Sequence, residues 1–424
     1  MGELSQEGTH EVPIWGFTRL DQYRRPTASA RVTMRKGLRG LWDRLKWRRP
    51  EPESPAIEMA LDPMPGSVLA EAAAEPEWRD AVPALHEVLQ DWWEEEYVGR
   101  IRLLLSAPHS GTQEIVAHWA STYQCSILAE PPAEEITKGN EWLKQLDQSP
   151  DRVWVIPRLE RFYLRQGKGL NLVRRLLEQI NSSPGRFLLA CDSWAWTYLS
   201  QALHIDALLP WPLVLEAFDQ EKLGHWLRDL AGKTTEKDFV FRQADNGKLV
   251  LPHKEKGKEF LSDKESGANQ GGQAGPEKLS NFLEQLAALS MGNPGVAWAI
   301  WRYCLRLAHD EELPSEAQAA AAGDRHLTIW VKPLSQVNLP ALQEWEKKSP
   351  ELFVLHALLL HDGLPGRLLA EILPLPESQT MGSLQRLRAT GVLVTEADRW
   401  RVAAAAYPEV RDFLQNEGYL VDAL

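Results

Sequence analysis

Residues 103–120 read LLLSAPHSGTQEIVAHWA. An unbroken apolar run of strand length, a short loop holding Gly111 and a helix-period stretch follow one another. That order cradles phosphate, because loop N–H groups and the positive end of the helix face the anion. Laid on the phosphate-loop signature GxxxxGK[ST], the segment puts Ser106 at the first Gly, Gly111 at the second, Thr112 at the Lys and Gln113 at the Ser or Thr. Only Gly111 matches. The Lys that pairs the outer phosphates and the hydroxyl that ligates magnesium are lost together, which removes the two strongest contributions. Backbone amides remain, so Ser106, His109, Ser110, Gly111, Thr112 and Gln113 are read as a degenerate phosphate loop. Such a loop requires no cofactor, and it can still hold ATP or ADP without hydrolysis.

Outward from this segment, strand and helix patterns alternate. Strands are expected at 100–106, 125–129, 152–156 and 186–191, with helices at 113–123, 134–146, 170–181 and 194–203. Strands separated by helices of that length need right-handed crossovers, hence a mostly parallel sheet covered on both faces. The strand RVWVI, where an acid for magnesium is expected next, ends in Pro157 and Arg158, with Glu160 two positions on. Cys191, Asp192 and Ser193 follow the strand RFLLAC; a helix N-cap before SWAWTYL is their favoured reading. Phe239, Arg242, Lys248 and Leu251 flank a turn at Asp245, Asn246 and Gly247, a hairpin signal. Residues 350–424 read as three helices, a two-stranded wing and a last helix.

With this order the chain resembles the P-loop ATPases of the AAA+ and STAND superfamily, especially the branch with a helical lid and a C-terminal winged helix, as in origin-recognition-type initiators. The resemblance covers about residues 85–420 and rests on SAPHSGTQ, VWVIPRLERF and SMGNPGVAWAIWR, the last similar to the Gly-Asn-Pro turn that opens the second lid helix. It implies an α/β fold, a three-layer P-loop NTPase-like parallel-sheet core with a helical lid and a C-terminal winged-helix domain. The division expected is a basic arm (1–49), a Pro/Ala/Glu-rich linker (50–83), the core (84–235), a hairpin and flexible insert (236–276), a helical lid and connector (277–349) and the winged helix (350–424). Asp192 and Asn293 take sensor-like positions in that scheme. Where the family often has an Arg after the Pro to touch phosphate, this chain has Gly295.

Composition sets the partner classes. The chain has 424 residues, 44% hydrophobic and 25% charged, with a formal net charge of -12. That describes an ordinary globular protein and argues against one that coats nucleic acid. Three dispersed cysteines fit neither a disulfide framework nor a zinc site and point to a reducing compartment, so the cytoplasm is expected. The 18 tryptophans are read as core and interface residues. Between Arg19 and Arg49, eleven Lys or Arg oppose two acids, a local +9 that leaves -21 elsewhere. There Met34, Leu38, Leu41, Trp42 and Leu45 mark one helix face, while Arg35, Lys36, Arg39, Arg44 and Lys46 lie on the other. Arg35, Lys36, Arg39, Trp42, Arg44 and Lys46 are the docking residues expected, towards an acidic partner or an anionic membrane at its inner face.

The winged helix carries six Arg, no Lys and ten acids, and only Arg386 and Arg388 are basic on its expected recognition helix. Duplex DNA needs several basic phosphate contacts, so a protein partner is favoured over DNA. The signals at Gly232, Lys233 and Thr234 (GKT) and around Ser110 lack their structural context, and His356 and His361 are expected at a helix surface or end. No metal site is expected. The reading that results is a non-hydrolysing, regulatory or scaffolding ATPase-like protein, not an enzyme, alone or as an oligomer. The alternative is a winged-helix DNA-binding transcription regulator with a vestigial or nucleotide-sensing ATPase domain.

Overall fold

Alternation along the apolar strands decides how the core divides. The computed structural model describes residues 13–27, 61–94, 99–138, 142–146, 152–233, 238–252, 279–309, 327–342 and 349–424. From the N-terminal side, β1 (Phe17–Arg19), β2 (Leu61–Pro63), α1 (Gly66–Ala72) and α2 (Val82–Glu94) lead to β3 (Ile101–Ser106) and α3 (Thr112–Thr122). Next come β4 (Ser126–Ile127), α4 (Ala133–Lys138), β5 (Val153–Ile156), α5 (Asn171–Ser182) and β6 (Arg186–Asp192). After them α6 (Ser193–Leu203), α7 (Ile205–Leu208), β7 (Leu213–Leu215) and α8 (Gln220–Leu230) complete the first unit.

The main sheet has the order β1-β7-β3-β6-β5-β4, parallel except for β1 at the edge. Side chains alternate across a strand, so each strand feeds two cores. Leu104, Val155, Leu188 and Ala190 pack with Leu85, Leu89 and Trp92 of α2 and Ile115, Val116 and Trp119 of α3. Leu103, Leu105, Ile156, Phe187, Leu189 and Cys191 face the other way, in the core shared with Leu172, Leu176 and Ile180 of α5 and Leu199 of α6. This is the three-layer, P-loop NTPase-like core expected from the sequence. Trp92, Trp119, Trp194 and Trp301 are fully buried, the use foreseen for tryptophan.

The second half differs from expectation. β8 (Phe239–Gln243), α9 (Phe282–Leu289), α10 (Pro294–Cys304), β9 (Leu305–Ala308) and β10 (Leu327–Val331) follow in order. A second sheet runs β2-β9-β10-β8, with β8 parallel to β10 and β9 antiparallel to both its neighbours. Its buried face, with Phe241, Leu305 and Ile329, packs in the same core as Phe282, Leu286 and Trp301. The lid is therefore a helix pair on a sheet rather than helices alone. The hairpin expected at 236–276 is reduced to a turn with one bridge, Arg242 to Leu249, because β8 finds its long partner in β10; residues 253–278 lie outside the described residues. Residues 305–308, which fall in the segment expected as helical lid, form β9, since LRLA continues the helical spacing of apolar positions but pairs with β10.

Part of the linker is also folded. Leu61–Pro63 is the edge strand β2, and Met64, Val68, Ala72 and Ala73 are buried. Pro and Ala there signalled a spacer, yet small side chains are what a close helix contact accepts. At the other end of the arm Phe17–Arg19 is β1, paired with β7. Arg35, Lys36, Arg39, Trp42, Arg44 and Lys46 lie outside the described residues.

The C-terminal unit contains α11 (Pro350–Leu360), α12 (Gly366–Ile372), α13 (Glu377–Ala389), the hairpin β11 (Leu393–Glu396) and β12 (Arg399–Val402), and α14 (Tyr407–Asn416). Three helices and an antiparallel wing are the order foreseen for 350–424. His356 and His361, expected at a helix surface or end, are 3% and 1% exposed, because the last turn of α11 points into the seam with the core. Ala72 tests the correction to the linker. Ala72→Asp buries an unpaired carboxylate, with an expected loss of about 3 kcal/mol in a thermal or denaturant melt; a spacer would show no change.

Candidate functional site

The loop after β3 is built by a glycine and held from three sides. Gly111 N-caps α3 with φ +76, a conformation that costs other residues more. A Cβ at Gly111 would lie 2.2 Å from the ring of Trp78, so the indole sits directly on the loop. Trp78 belongs in turn to a ring cluster with Trp15 at 6.1 Å and Trp226 at 6.2 Å. On the lid side, Asn293 Nδ2 donates to the carbonyl of Pro108 at 2.7 Å while its Oδ1 accepts from Val296 N and caps α10. A Cβ at Gly295 would come within 1.9 Å of the carbonyl oxygen of His109. The loop is packed against this position, with no room for a side chain.

The polar side chains of the loop satisfy one another. Ser110 Oγ is 3.3 Å from Ser106 Oγ and 2.9 Å from Thr112 Oγ1. Ser106, Ser110, Thr112 and Gln113 are all buried. The space left beside Ser110, Thr112, Asn293, Tyr23 and Leu424 is about 20 Å³, room for one water. Ligand pockets are commonly 300–1,000 Å³. His109, at φ +67, faces Tyr407 at 6.2 Å between ring centres, and burial together with Arg401 pushes its imidazole down to about 4. A side chain of the C-terminal unit thus packs on this loop histidine.

Below the loop two acids meet. Pro157 ends β5, and the 3-10 turn Leu159–Arg161 swings Glu160 inward until it is fully buried. Glu160 Oε2 accepts from Asp192 N at 3.1 Å, and Asp192 Oδ1 accepts from Trp194 N at 2.8 Å. The N-cap reading of Asp192 therefore holds. Burial and the nearby Asp362 push the Glu160 carboxyl up to about 7, and burial with Glu160 raises Asp192 well above the ordinary carboxylate range. Among the described residues no three His, Cys, Asp or Glu side chains converge as a metal site.

Arg158, placed where a catalytic acid was sought, is a docking residue. Asp362 follows α11 and is 7% exposed. Its Oδ2 takes Arg158 Nη1 at 2.6 Å and Arg161 Nη2 at 3.2 Å, and its Oδ1 takes Arg401 Nη2 at 2.5 Å. Burial alone would raise this carboxyl; Arg401, Arg161 and Arg158 overcome that and hold it below the usual carboxylate range. Arg158 also binds Glu114 of α3 at 2.8 Å, which links the seam to the helix of the loop. A second junction lies at Asp422, which accepts from Arg411 Nε at 2.7 Å, Ser193 Oγ at 2.7 Å and Tyr407 Oη at 3.2 Å.

The proposed winged-helix contacts are less free than the sequence suggests. Arg386 Nε donates to Glu351 Oε1 at 2.9 Å, and the Arg388 guanidinium lies 5.9 Å from the Trp400 ring centre. Sequence reasoning noted Glu160 only as an acid after the strand and missed Trp78 and Asp362. For Glu160 the signal was the strand-ending Pro157; the other two act across more than thirty and two hundred positions, where spacing is silent.

The sheet order and the loop after β3 define an α/β fold with a P-loop NTPase-like core. No family model and no curated protein matches the chain. Among solved structures it is similar to "Structure of the Aeropyrum Pernix ORC2 protein (ADP form)", at 15% identity and a TM-score of 0.30 over 83% of this chain and 97% of that one. The same protein in "ADPNP-ADP complexes" gives 13% identity and 0.29 over 94% and 97%. The likeness is distant, and the class rests on the sheet and loop themselves.

Three histidines in the seam give a pH signature. Burial pushes His109 and His356 down to about 4 and His361 to about 3, so the fold keeps them neutral while the unfolded chain takes up protons near 6.5. Their contribution is complete above pH 6.5 and is lost as pH falls from there towards 3. Each histidine contributes a slope of about 1.4 kcal/mol per pH unit between its two values. His361→Phe, with its ring against Tyr163, is expected to flatten the acid limb of stability measured from pH 7 to 4; an unchanged limb contradicts the assignment.

Proposed function

We propose that this chain is a non-hydrolysing, P-loop ATPase-like regulatory or scaffolding protein that acts through protein contacts. The observation that carries the reading is the loop of residues 106–113, whose Gly111 is covered by the Trp78 ring and whose hydroxyls bind one another. Loss of the signature Lys and hydroxyl supports the same reading, because positioning and charge stabilisation are nearly all that phosphoryl transfer asks of a protein. ATP or ADP enters this scheme only after Trp78 and the lid turn move away from the loop.

The C-terminal unit favours a protein partner over DNA. Of its six arginines, Arg386, Arg399, Arg401 and Arg411 are each paired with an acid of this chain. Few charges are then left for phosphate contacts, and a DNA-reading winged helix needs several. The basic arm supplies the docking element towards an acidic partner or an anionic membrane surface. No helix among the described residues is long and apolar enough to cross a membrane, and attachment in this scheme is peripheral.

A turnover assay on the purified chain tests the reading. Phosphate release from ATP with magnesium is expected to stay at the no-protein background, and Gly111→Asp is expected to leave it there. Magnesium-dependent hydrolysis that Gly111→Asp abolishes overturns it.

A further inference from the structure

Among the described residues six large apolar side chains are exposed by more than a third, and two of them, Leu208 and Trp211, stand three positions apart before β7. Leu208 is 50% exposed and Trp211 64%. Trp211 is also held at φ +61, the left-handed region that a bulky side chain avoids. Strain of this kind persists only where the surroundings impose it, and it collects at functional positions. Here the surroundings are β1 and its extension: Leu20 N donates to the carbonyl of Pro212 at 2.9 Å, which fixes the turn, and the Arg19 guanidinium lies 4.1 Å over the indole. The turn thus displays an indole outward with a cation on its face.

The charge around this knuckle is set by the segment beside it. Arg19 pairs with Asp21 at 3.1 Å, which leaves Arg24, exposed, and Arg25 as the uncompensated charges of residues 19–25. Asp206 on α7 is the nearby acid in sequence, and Arg24 and Arg25 together outweigh it. An exposed Trp and Leu next to basic side chains is the composition of a shallow interfacial contact, with the indole at headgroup level and guanidinium groups on phosphate. We propose that Leu208 and Trp211, with Arg19 stacked on the indole, form a contact for an anionic lipid surface. The proposal rests on the anionic-surface reading of the basic arm and places a second, apolar contact on the folded body at the root of that arm.

The experiment is co-sedimentation of the full chain with vesicles of phosphatidylcholine alone and of phosphatidylcholine with about a third phosphatidylglycerol. The wild type is expected to bind the anionic vesicles and not the neutral ones. Trp211→Gly relieves the backbone at φ +61, so its melting temperature is expected to match or exceed the wild type while its partition onto anionic vesicles falls about tenfold. Adding Leu208→Ser is expected to lower it further. Equal binding by Trp211→Gly and wild type overturns the proposal. Charge reversal at Lys36 and Arg39 separates the two readings: if it abolishes binding while Trp211→Gly binds normally, the arm alone makes the contact. If the wild type binds neither vesicle, both readings fall.

Discussion

One buried carboxylate, Asp362, receives guanidinium groups from Arg158, Arg161 and Arg401, and the arrangement of the two halves of the molecule depends on it. Arg158 and Arg161 come from the end of β5, and Asp362 and Arg401 from the C-terminal unit. Arg161 adds donors to the carbonyls of Gly363 at 2.8 Å and Asp362 at 2.5 Å, so the charges are hydrogen-bonded as well as paired. Desolvation of several ions offsets much of the attraction, and a buried cluster of this kind contributes registry more than net stability. Removing one member is a different matter: an unpaired buried charge costs about 3–5 kcal/mol. With Asp362 in place, Arg401 and Tyr407 close over His109, and the loop after β3 is covered from the C-terminal side as Trp78 covers it from the other.

Glu160, the acid that follows β5, is turned into the core. It remains at the sheet end, but it points inward to Asp192 and burial pushes its carboxyl up, while Arg158 in front of it pairs with Asp362. The loop keeps its glycine, yet that glycine now admits an indole. Gly295 likewise admits a carbonyl. Both glycines mark places where the fold packs closely.

Much of the core was legible. The strands at 101–106, 153–156 and 186–192 are long apolar runs, the helices between them carry clear period, and the sheet follows from crossover geometry. β2 and β7 were not legible because three residues cannot establish an alternation. β9 was hidden by a helix whose spacing it continues, and the parallel pairing of β8 with β10 joins segments nearly ninety positions apart. In the site, the loop residues and the cap at Asp192 could be read locally. Trp78 could not, because its role depends on where a segment rich in Pro and Ala returns to the body. Net charge was informative only by parts: the acidic C-terminal unit pairs Arg367, Arg386, Arg401 and Arg411 with its own acids, and the positive excess sits in the run from Arg19 to Arg49.

The central claim is that the loop of residues 106–113 is packed shut by its own chain. Amide hydrogen exchange across 109–115, with and without magnesium and ATP, measures this directly. Strong protection without nucleotide, unchanged when nucleotide is added, is the predicted result. Fast exchange that ATP slows would contradict the account.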